Sequence, residues 1–311
     1  MRHIFILNPA AGPSDITGRL AEEIAEIGKK QGIEPEILKT EHPEHATKLV
    51  TELAGKYNPE ICRFYACGGD GTLQEVAAGA AKALDEGYGN AEITHFPCGT
   101  GNDFIKIFDN MKLFRNLREL ISGKVMELDF LRFGEGYALN LCSAGLDARI
   151  AHWLGLNKRR LPVSGGLAYK VSILSNFFKR IWRDVKVEID GANYDGQYSI
   201  IVAANGRYYG GGFYAMPDAY PDDGILEFLM IRRMSRLDLI KNIGKYEKGN
   251  YRGCGDLAVH VRGKSMKLKF GSEEPVNADG EITLTKSIKI ALDGRKLRFA
   301  LPKRSNIIKT T

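Results

Sequence analysis

The segment RFYACGGDGTLQEVAAGAAKAL (63–84) decides the fold. Arg63 to Cys67 reads as a short apolar strand and Leu73 to Leu84 as an Ala-rich helix, with Gly68-Gly69-Asp70-Gly71-Thr72 as the turn between them. A strand that passes through a glycine turn directly into a helix is the repeating unit of parallel sheets. The same arrangement recurs on either side. Ile4 to Leu7 is a strand that breaks at Asn8-Pro9-Ala10-Ala11-Gly12. The helix after it has Ser14 or Asp15 as cap, Leu20, Ile24 and Ile27 at i, i+4 and i+7, and Gly32 as its end. Ile37-Leu38 lies in a strand closed by Thr40, and His42 to Tyr57 forms a helix with Ala46, Leu49, Val50 and Leu53 on one face. Ile93 to Phe96 is a further strand, running into Pro97-Cys98-Gly99-Thr100-Gly101-Asn102-Asp103. The alternation predicts an α/β domain over residues 1–125, with a parallel sheet covered on both faces.

Beyond about residue 125 the pattern shortens. Val185–Ile189, Tyr198–Ala203, Ile225–Ile231, Leu257–Val261, Met266–Phe270, Ile282–Leu284 and Ile288–Leu292 are brief β-like runs separated by Gly, Asn and Asp. They predict a β-rich C-terminal sandwich domain over residues 126–299, interrupted by one helical insert from Gly165 to about Trp182. The tail, residues 300–311, is either free or packed back on the first domain.

Composition agrees with two globular domains: 311 residues, 44% hydrophobic and 26% charged, exclude a disordered or fibrous chain. Thirty-five glycines without a three-residue period exclude collagen and place the surplus at turns and close approaches. A net charge of +6 permits an anionic partner, such as a nucleotide or an acidic membrane surface. Five cysteines without a C-x-x-C pair indicate neither a disulfide framework nor a zinc cluster, so a reducing cytoplasm is expected. The short apolar run in MRHIFILNPAAG falls below a signal peptide, and no stretch approaches the ~20 apolar residues of a membrane span. Membrane contact is therefore expected to be peripheral.

Three loops, Asn8–Gly12, Gly68–Thr72 and Gly99–Asp103, share one relative place: the carboxyl end of a parallel strand, before a helix. Open α/β sheets bind ligands there. Glycines let backbone N–H groups approach phosphate oxygens, and helix N-termini favour negative charge. Asp70 among those amides would repel a phosphate unless a cation stood between them, and Mg²⁺ is such a cation. The alternative is that Asp70 caps the following helix. Neither GxxxxGK[ST] nor GxGxxG occurs, which excludes Walker-type and dinucleotide loops.

Taken together, NPAAG (8–12), GGDGT (68–72) and PCGTGNDF (97–104) resemble the diacylglycerol kinase catalytic-domain family, which includes bacterial lipid kinases and sphingosine kinases. The likeness continues through Leu128-Asp129, YALNLCSAGLDA (137–148), NGRYYGGGFYAMPDAYPDDGILE (205–227) and NADGE (277–281), in family order over nearly the whole chain. It implies an N-terminal α/β nucleotide domain of the NAD-kinase and diacylglycerol-kinase kind and a β-rich lipid-substrate domain. It further implies transfer of the γ-phosphoryl group of ATP, with Mg²⁺, to a lipid hydroxyl, first of all that of diacylglycerol. Carried over by motif, the nucleotide contacts are Asn8, Pro9, Ala10, Ala11, Gly12, Thr40, Gly68, Gly69, Asp70, Gly71, Thr72, Leu73, Gln74, Thr100 and Asn102. Asp70, Asp103 and Asp129 would organise the catalytic Mg²⁺, and Asp279 or Glu281, with Glu281 preferred, would be the general base. A second Mg²⁺ would sit at the D-D-G turn, on the Asp223 side chain and the carbonyls of Tyr220 and Ile225. The sequence departs from the family at Gln74, where Asn is usual, and at Leu146, where Phe is usual.

Read as residues alone, Ala278-Asp279-Gly280-Glu281 is also a plain hairpin turn, and Asp147 a helix cap. The six His lack paired spacing and are expected as surface or core fillers, and Cys67 and Cys98 as packed small hydrophobes. Asn157-Lys158-Arg159-Arg160 with Phe177 to Trp182 combines base and aromatics, as an interfacial patch for anionic lipid would, or as a solvated helix end would. Nucleic-acid binding is not expected, and a homodimer is left open. The competing functions are a kinase of a sphingoid base, ceramide or monoacylglycerol, an NAD-kinase-like enzyme, and a nucleotide sensor without turnover.

Overall fold

The computed structural model describes residues 1–12, 14–157 and 181–309. Most of the expected helical insert and of the basic, aromatic patch, residues 158–180, lies outside the described residues; Ile181 and Trp182 are described and are not helical. The chain divides into two compact units, Met1–Leu128 with Arg295–Lys309, and Asp129–Gly294.

In the first unit β1 (Arg2–Leu7), β2 (Glu36–Lys39), β3 (Cys62–Gly68) and β4 (Ala91–Pro97) run parallel, connected by α1 (Thr17–Gln31), α2 (His45–Tyr57) and α3 (Asp70–Asp85). A short α4 (Leu117–Ile121) leads into β5 (Lys124–Leu128). The sheet order is β2-β1-β3-β4-β16-β5, where β16 is Leu297–Leu301. β16 lies parallel to β4 and β5 antiparallel to β16, so the sheet is mixed at that edge. This pairing sets the boundary at 128 and 295, where the sequence reading placed it at 125 and 300. β3 and β4 are buried at every position, as central strands covered on both faces must be.

Helix starts differ from the sequence reading in instructive ways. Asp15 Oδ1 accepts the Thr17 N–H at 2.8 Å, but the position before the helix is Ile16, which has no capping side chain. Glu44, at φ 65°, breaks the helical path, so α2 begins at His45 and not at His42. α3 begins at Asp70 and not at Leu73, inside the glycine turn itself. α1 ends where expected, at Gly32 in the left-handed conformation.

The second unit holds β6 (Leu131–Phe133), β7 (Gly136–Ala138), β8 (Leu141–Gly145), α5 (Leu146–Asn157), β9 (Arg183–Ile189), β10 (Ala192–Asn193), β11 (Gly196–Ala204), β12 (Leu226–Arg232), α6 (Arg236–Glu247), β13 (Ala258–Gly263), β14 (Ser265–Ala278) and β15 (Glu281–Leu292). All pair antiparallel. β14 is long and irregular between Lys269 and Glu274. It pairs with β9 through Met266–Phe270 and with β8 through Val276–Ala278, closing the sheet on itself. Two apolar clusters follow from strand alternation. Ile201, Phe228, Leu268 and Val276 fill the interior of the closed sheet. Ile200, Val202, Leu229 and Ile231, on the other face of β11 and β12, pack under Leu146 and Ile150 of α5 and Leu239 and Tyr246 of α6. The sequence reading assigned no helix at 236–247. Its signal was a capping box, in which the Ser235 hydroxyl accepts the Asp238 N–H and Asp238 accepts the Ser235 N–H. Among the described residues no helix is long and apolar enough to cross a membrane.

Candidate active site

The three glycine loops meet at one edge of the first unit's sheet. Asn8 Oδ1 accepts the Ala10 N–H at 2.9 Å, which folds Asn8–Gly12 into a tight turn, and Asn8 Nδ2 donates to Thr72 Oγ1 at 2.9 Å. A Cβ on Gly12 (φ 82°) would lie 2.7 Å from the Cys98 carbonyl oxygen, and one on Gly99 would lie 2.5 Å from Gly69 Cα. The loops are therefore in backbone contact, and these two positions admit only glycine. The Gly68 carbonyl accepts from Cys98 N (2.8 Å) and Gly99 N (3.2 Å), and His95 Nε2 lies 3.0 Å away. Burial pushes His95 down to about 4, so it is neutral at pH 7 and Nε2–H is the donor. Sequence reading missed His95 as a loop-positioning residue; nothing in its spacing marks it.

Gly69 precedes α3 without a capping side chain, and the N–H groups of Asp70 and Gly71 head the helix, the end that favours negative charge. Thr100 is exposed, and Thr40 extends the β1–β2 pairing through its N–H to the Leu7 carbonyl at 2.9 Å. Asn102, at φ 49°, donates to the Gly99 carbonyl at 2.8 Å. Leu73 and Gln74 are buried on α3, so Leu73 serves the core with its side chain.

Asp70 does not cap the helix. It stands inside the first turn, and its Oδ1 accepts the N–H of Asp103 at 2.5 Å and of Phe104 at 3.3 Å. Burial raises its carboxyl above the usual range, and the neighbouring Asp103 charge adds to the rise. Lys106, 2.5 Å from Asp103 Oδ1, offsets part of that repulsion. Asp70 and Asp103, neighbouring carboxylates between the glycine loops, are the kind of pair that can hold a divalent cation. Mg²⁺ typically takes only one or two carboxylates and completes its shell with water and substrate phosphates. Among the described residues no three acidic, His or Cys side chains converge on a point.

In the second unit the remaining motifs converge on one hydrogen-bond network. Asp129, at the start of this unit, donates its N–H to the Pro221 carbonyl at 2.6 Å and accepts from Gly224 N at 2.8 Å. Asn205 Nδ2 donates to the carbonyls of both Asp129 (2.8 Å) and Leu139 (2.7 Å). The Asp279 carboxylate accepts three successive amides, Leu139 (2.7 Å), Asn140 (2.8 Å) and Leu141 (2.8 Å). Asn205 is a residue that sequence reading quoted within a motif without giving it a task. Asp279 and Gly280, at φ 49° and 101°, form the two-residue turn between β14 and β15, and Glu281 is the exposed first residue of β15. The turn is thus both hairpin and anchor. It separates the two acids, since Asp279 faces backbone while Glu281 begins the strand.

The D-D-G turn, where a second cation is expected, is held by hydrogen bonds within the second unit. Asp223 Oδ1 accepts the Ile225 N–H at 3.0 Å, its Oδ2 accepts from Arg262 at 3.0 Å, and its own N–H points to the Tyr220 carbonyl at 3.5 Å. Arg262 also donates to Glu227 at 2.8 Å, and Glu227 in turn lies 2.5 Å from His260 Nε2. Arg262 pairs with the Asp223 carboxylate at this turn, and His260 is hydrogen-bonded to Glu227 and is no filler. Cys67 and Cys98 are packed thiols, pushed up by burial, Cys98 to about 11.

Asp147 is buried on α5 with Tyr209 Oη 3.4 Å from its Oδ2, and burial pushes its carboxyl up to about 6. A raised carboxyl opposes folding above its folded pKa, and the penalty disappears as pH falls toward the ordinary value. Asp147→Asn should therefore raise stability on the order of 3 kcal/mol at about pH 8, with the gain fading below about pH 4. Denaturant melts across pH check this; a uniform loss would mean that the carboxylate makes an essential contact.

Residues 2–133 match the diacylglycerol kinase catalytic domain, and residues 140–299 match the YegS C-terminal NAD kinase beta sandwich-like domain. A probable lipid kinase YegS-like of Pseudomonas fluorescens is 27% identical over 285 residues, covering 91% of this chain and 89% of that one. A protein of the same description from Pseudomonas aeruginosa is 27% identical over 234 residues, 75% and 72% of the two chains. The crystal structure of a diacylglycerol kinase from Bacillus anthracis superposes with a TM-score of 0.69 at 22% identity, covering 96% of both chains. A second crystal structure from that organism gives 0.74 at 23% identity over the same shares. At such identities the superpositions speak to fold: an N-terminal α/β domain and a C-terminal β-rich sandwich.

Proposed function

This chain belongs to the diacylglycerol kinase catalytic-domain family, and we propose that it transfers the γ-phosphoryl group of ATP to the hydroxyl of diacylglycerol, giving phosphatidic acid. It is a kinase, a phosphotransferase with an alcohol acceptor, and its relatives place it among lipid kinases. One observation carries the reading at the level of chemistry: three glycine loops in backbone contact, with Asp70 turned from its helix onto the Asp103 and Phe104 amides. Those loops support a polyphosphate through their N–H groups. Asp70 and Asp103 are the residues that would hold Mg²⁺, which when bound neutralises charge developing between the β- and γ-oxygens.

The chain's own groups divide the remaining work. Asn8 holds its loop against Thr72, and His95 holds the Gly68 carbonyl, so the loops keep their spacing without rearrangement during transfer. Glu281 is the general base that accepts the proton of the attacking hydroxyl. Asp279, committed to three amides, orients the hairpin from which Glu281 projects.

Incubation with labelled ATP, Mg²⁺ and a panel of lipid alcohols in mixed micelles tests this. Label in the diacylglycerol fraction is the expected result. Label in a sphingoid base, ceramide or monoacylglycerol alone would keep a lipid kinase and overturn the acceptor. Label in NAD or a sugar alone would overturn the function, and nucleotide binding without transfer to any acceptor would leave a sensor.

A further inference from the structure

We propose that the outward face of α6 is the surface by which this chain docks on an anionic lipid bilayer. The proposal rests on the lipid-kinase reading, which requires the enzyme to reach a substrate dissolved in a membrane. Leu237 and Ile240 are 68% and 60% exposed and stand three residues apart, so they share one helical face. Core packing does not account for them. The inward face of the same helix already supplies Leu239 and Tyr246 to the apolar cluster above β11 and β12. A two-faced helix with large apolar residues turned to water has the form of an interfacial element.

Charge selects the occupant. Between Arg232 and Lys248 the chain carries Arg232, Arg233, Arg236, Lys241, Lys245 and Lys248 against Asp238 and Glu247, a balance of 6 − 2 = +4. Eight charged residues in seventeen thus leave a surplus of four positive charges in this short stretch. Asp238 is occupied in the capping box with Ser235, and Arg232, Lys241 and Lys248 are exposed. A second copy of this chain, paired symmetrically through the same face, would bring two such cationic patches together. An anionic bilayer instead offers acyl chains to Leu237 and Ile240 and headgroup charge to the lysines around them.

The test uses the full chain, without nucleotide, floated with vesicles of phosphatidylcholine alone or mixed with phosphatidylglycerol. Wild-type protein should bind the anionic vesicles and release as salt rises from about 0.05 M to about 0.5 M. Leu237→Glu with Ile240→Glu, and separately Lys241→Glu with Lys248→Glu, should each lower the partition coefficient at least ~tenfold. The thermal midpoint and the transfer rate to diacylglycerol in detergent micelles should not change in either variant. Unaltered vesicle binding in both, in protein that still phosphorylates lipid in micelles, would overturn the surface and leave the function standing. A fall from dimer to monomer in sedimentation velocity, with vesicle binding intact, would assign the face to self-association and overturn it equally. Lost vesicle binding in a protein that phosphorylates no lipid alcohol would support the surface and sink the lipid-kinase reading.

Discussion

Asp70→Asn should all but stop phosphoryl transfer while leaving the protein at least as stable as before. The two effects have one cause. An asparagine at this position still presents Oδ1 to the Asp103 and Phe104 amides, so the junction of the two loops survives. What disappears is a buried negative charge next to a second one. Burial, and then the Asp103 charge, hold the Asp70 carboxyl above its ordinary range. Its ionised form therefore opposes folding at neutral pH, and that penalty is relieved as pH falls through the folded-state value. Removing the charge should leave the thermal midpoint level or higher at pH 7, with any advantage shrinking in acid. The same charge is what a phosphate-bridging cation needs, so kcat should fall by at least about 10²-fold. Initial rates and melting curves on one preparation decide it. Full turnover, or a collapse of the midpoint, would show that Asp70 is there for the loop alone.

The second large effect separates the two acids of the hairpin. Asp279→Ala leaves three amides of residues 139–141 without their acceptor. Each stranded N–H costs about 1–3 kcal/mol before relaxation, against the roughly 5–15 kcal/mol that holds a domain folded. The thermal midpoint should fall by about 10 °C or more. Glu281→Gln, at an exposed strand start, should leave the midpoint where it was and lower kcat by about 10²–10⁴-fold with little change in the KM for ATP. The opposite pairing, a stable but inactive Asp279→Ala and an active Glu281→Gln, would move the base to Asp279.

The contrast between these two acids shows how far the sequence could be read. A glycine turn at the end of an apolar strand is a local signal, and the three glycine loops were legible for that reason. The partners of Asp279 lie about 140 residues away, and no spacing rule connects them. β6 and β7 are three residues each, too short to carry a usable period, and β8 entered only through the motif YALNLCSAGLDA. β14 was seen only as Met266–Phe270, since Gly271 to Glu273 interrupt its alternation and the strand recovers after an irregularity. The Ser235–Asp238 capping box was legible and overlooked. Arg262 at the D-D-G turn was beyond reach, because it arrives from a neighbouring strand, β13.

The placement of β16 has a consequence for how the protein is made. Leu297–Leu301 is inserted between β4 and β5, and β5 pairs with it. A ribosome that has translated only the first 128 residues has therefore produced a half whose sheet lacks an inner strand and exposes an unpaired border on β4. That half must wait, unfinished, until residues 297–301 have emerged. Anyone wishing to isolate it should splice residues 295–309 onto its end, because a simple truncation would release a sticky edge in place of a working module.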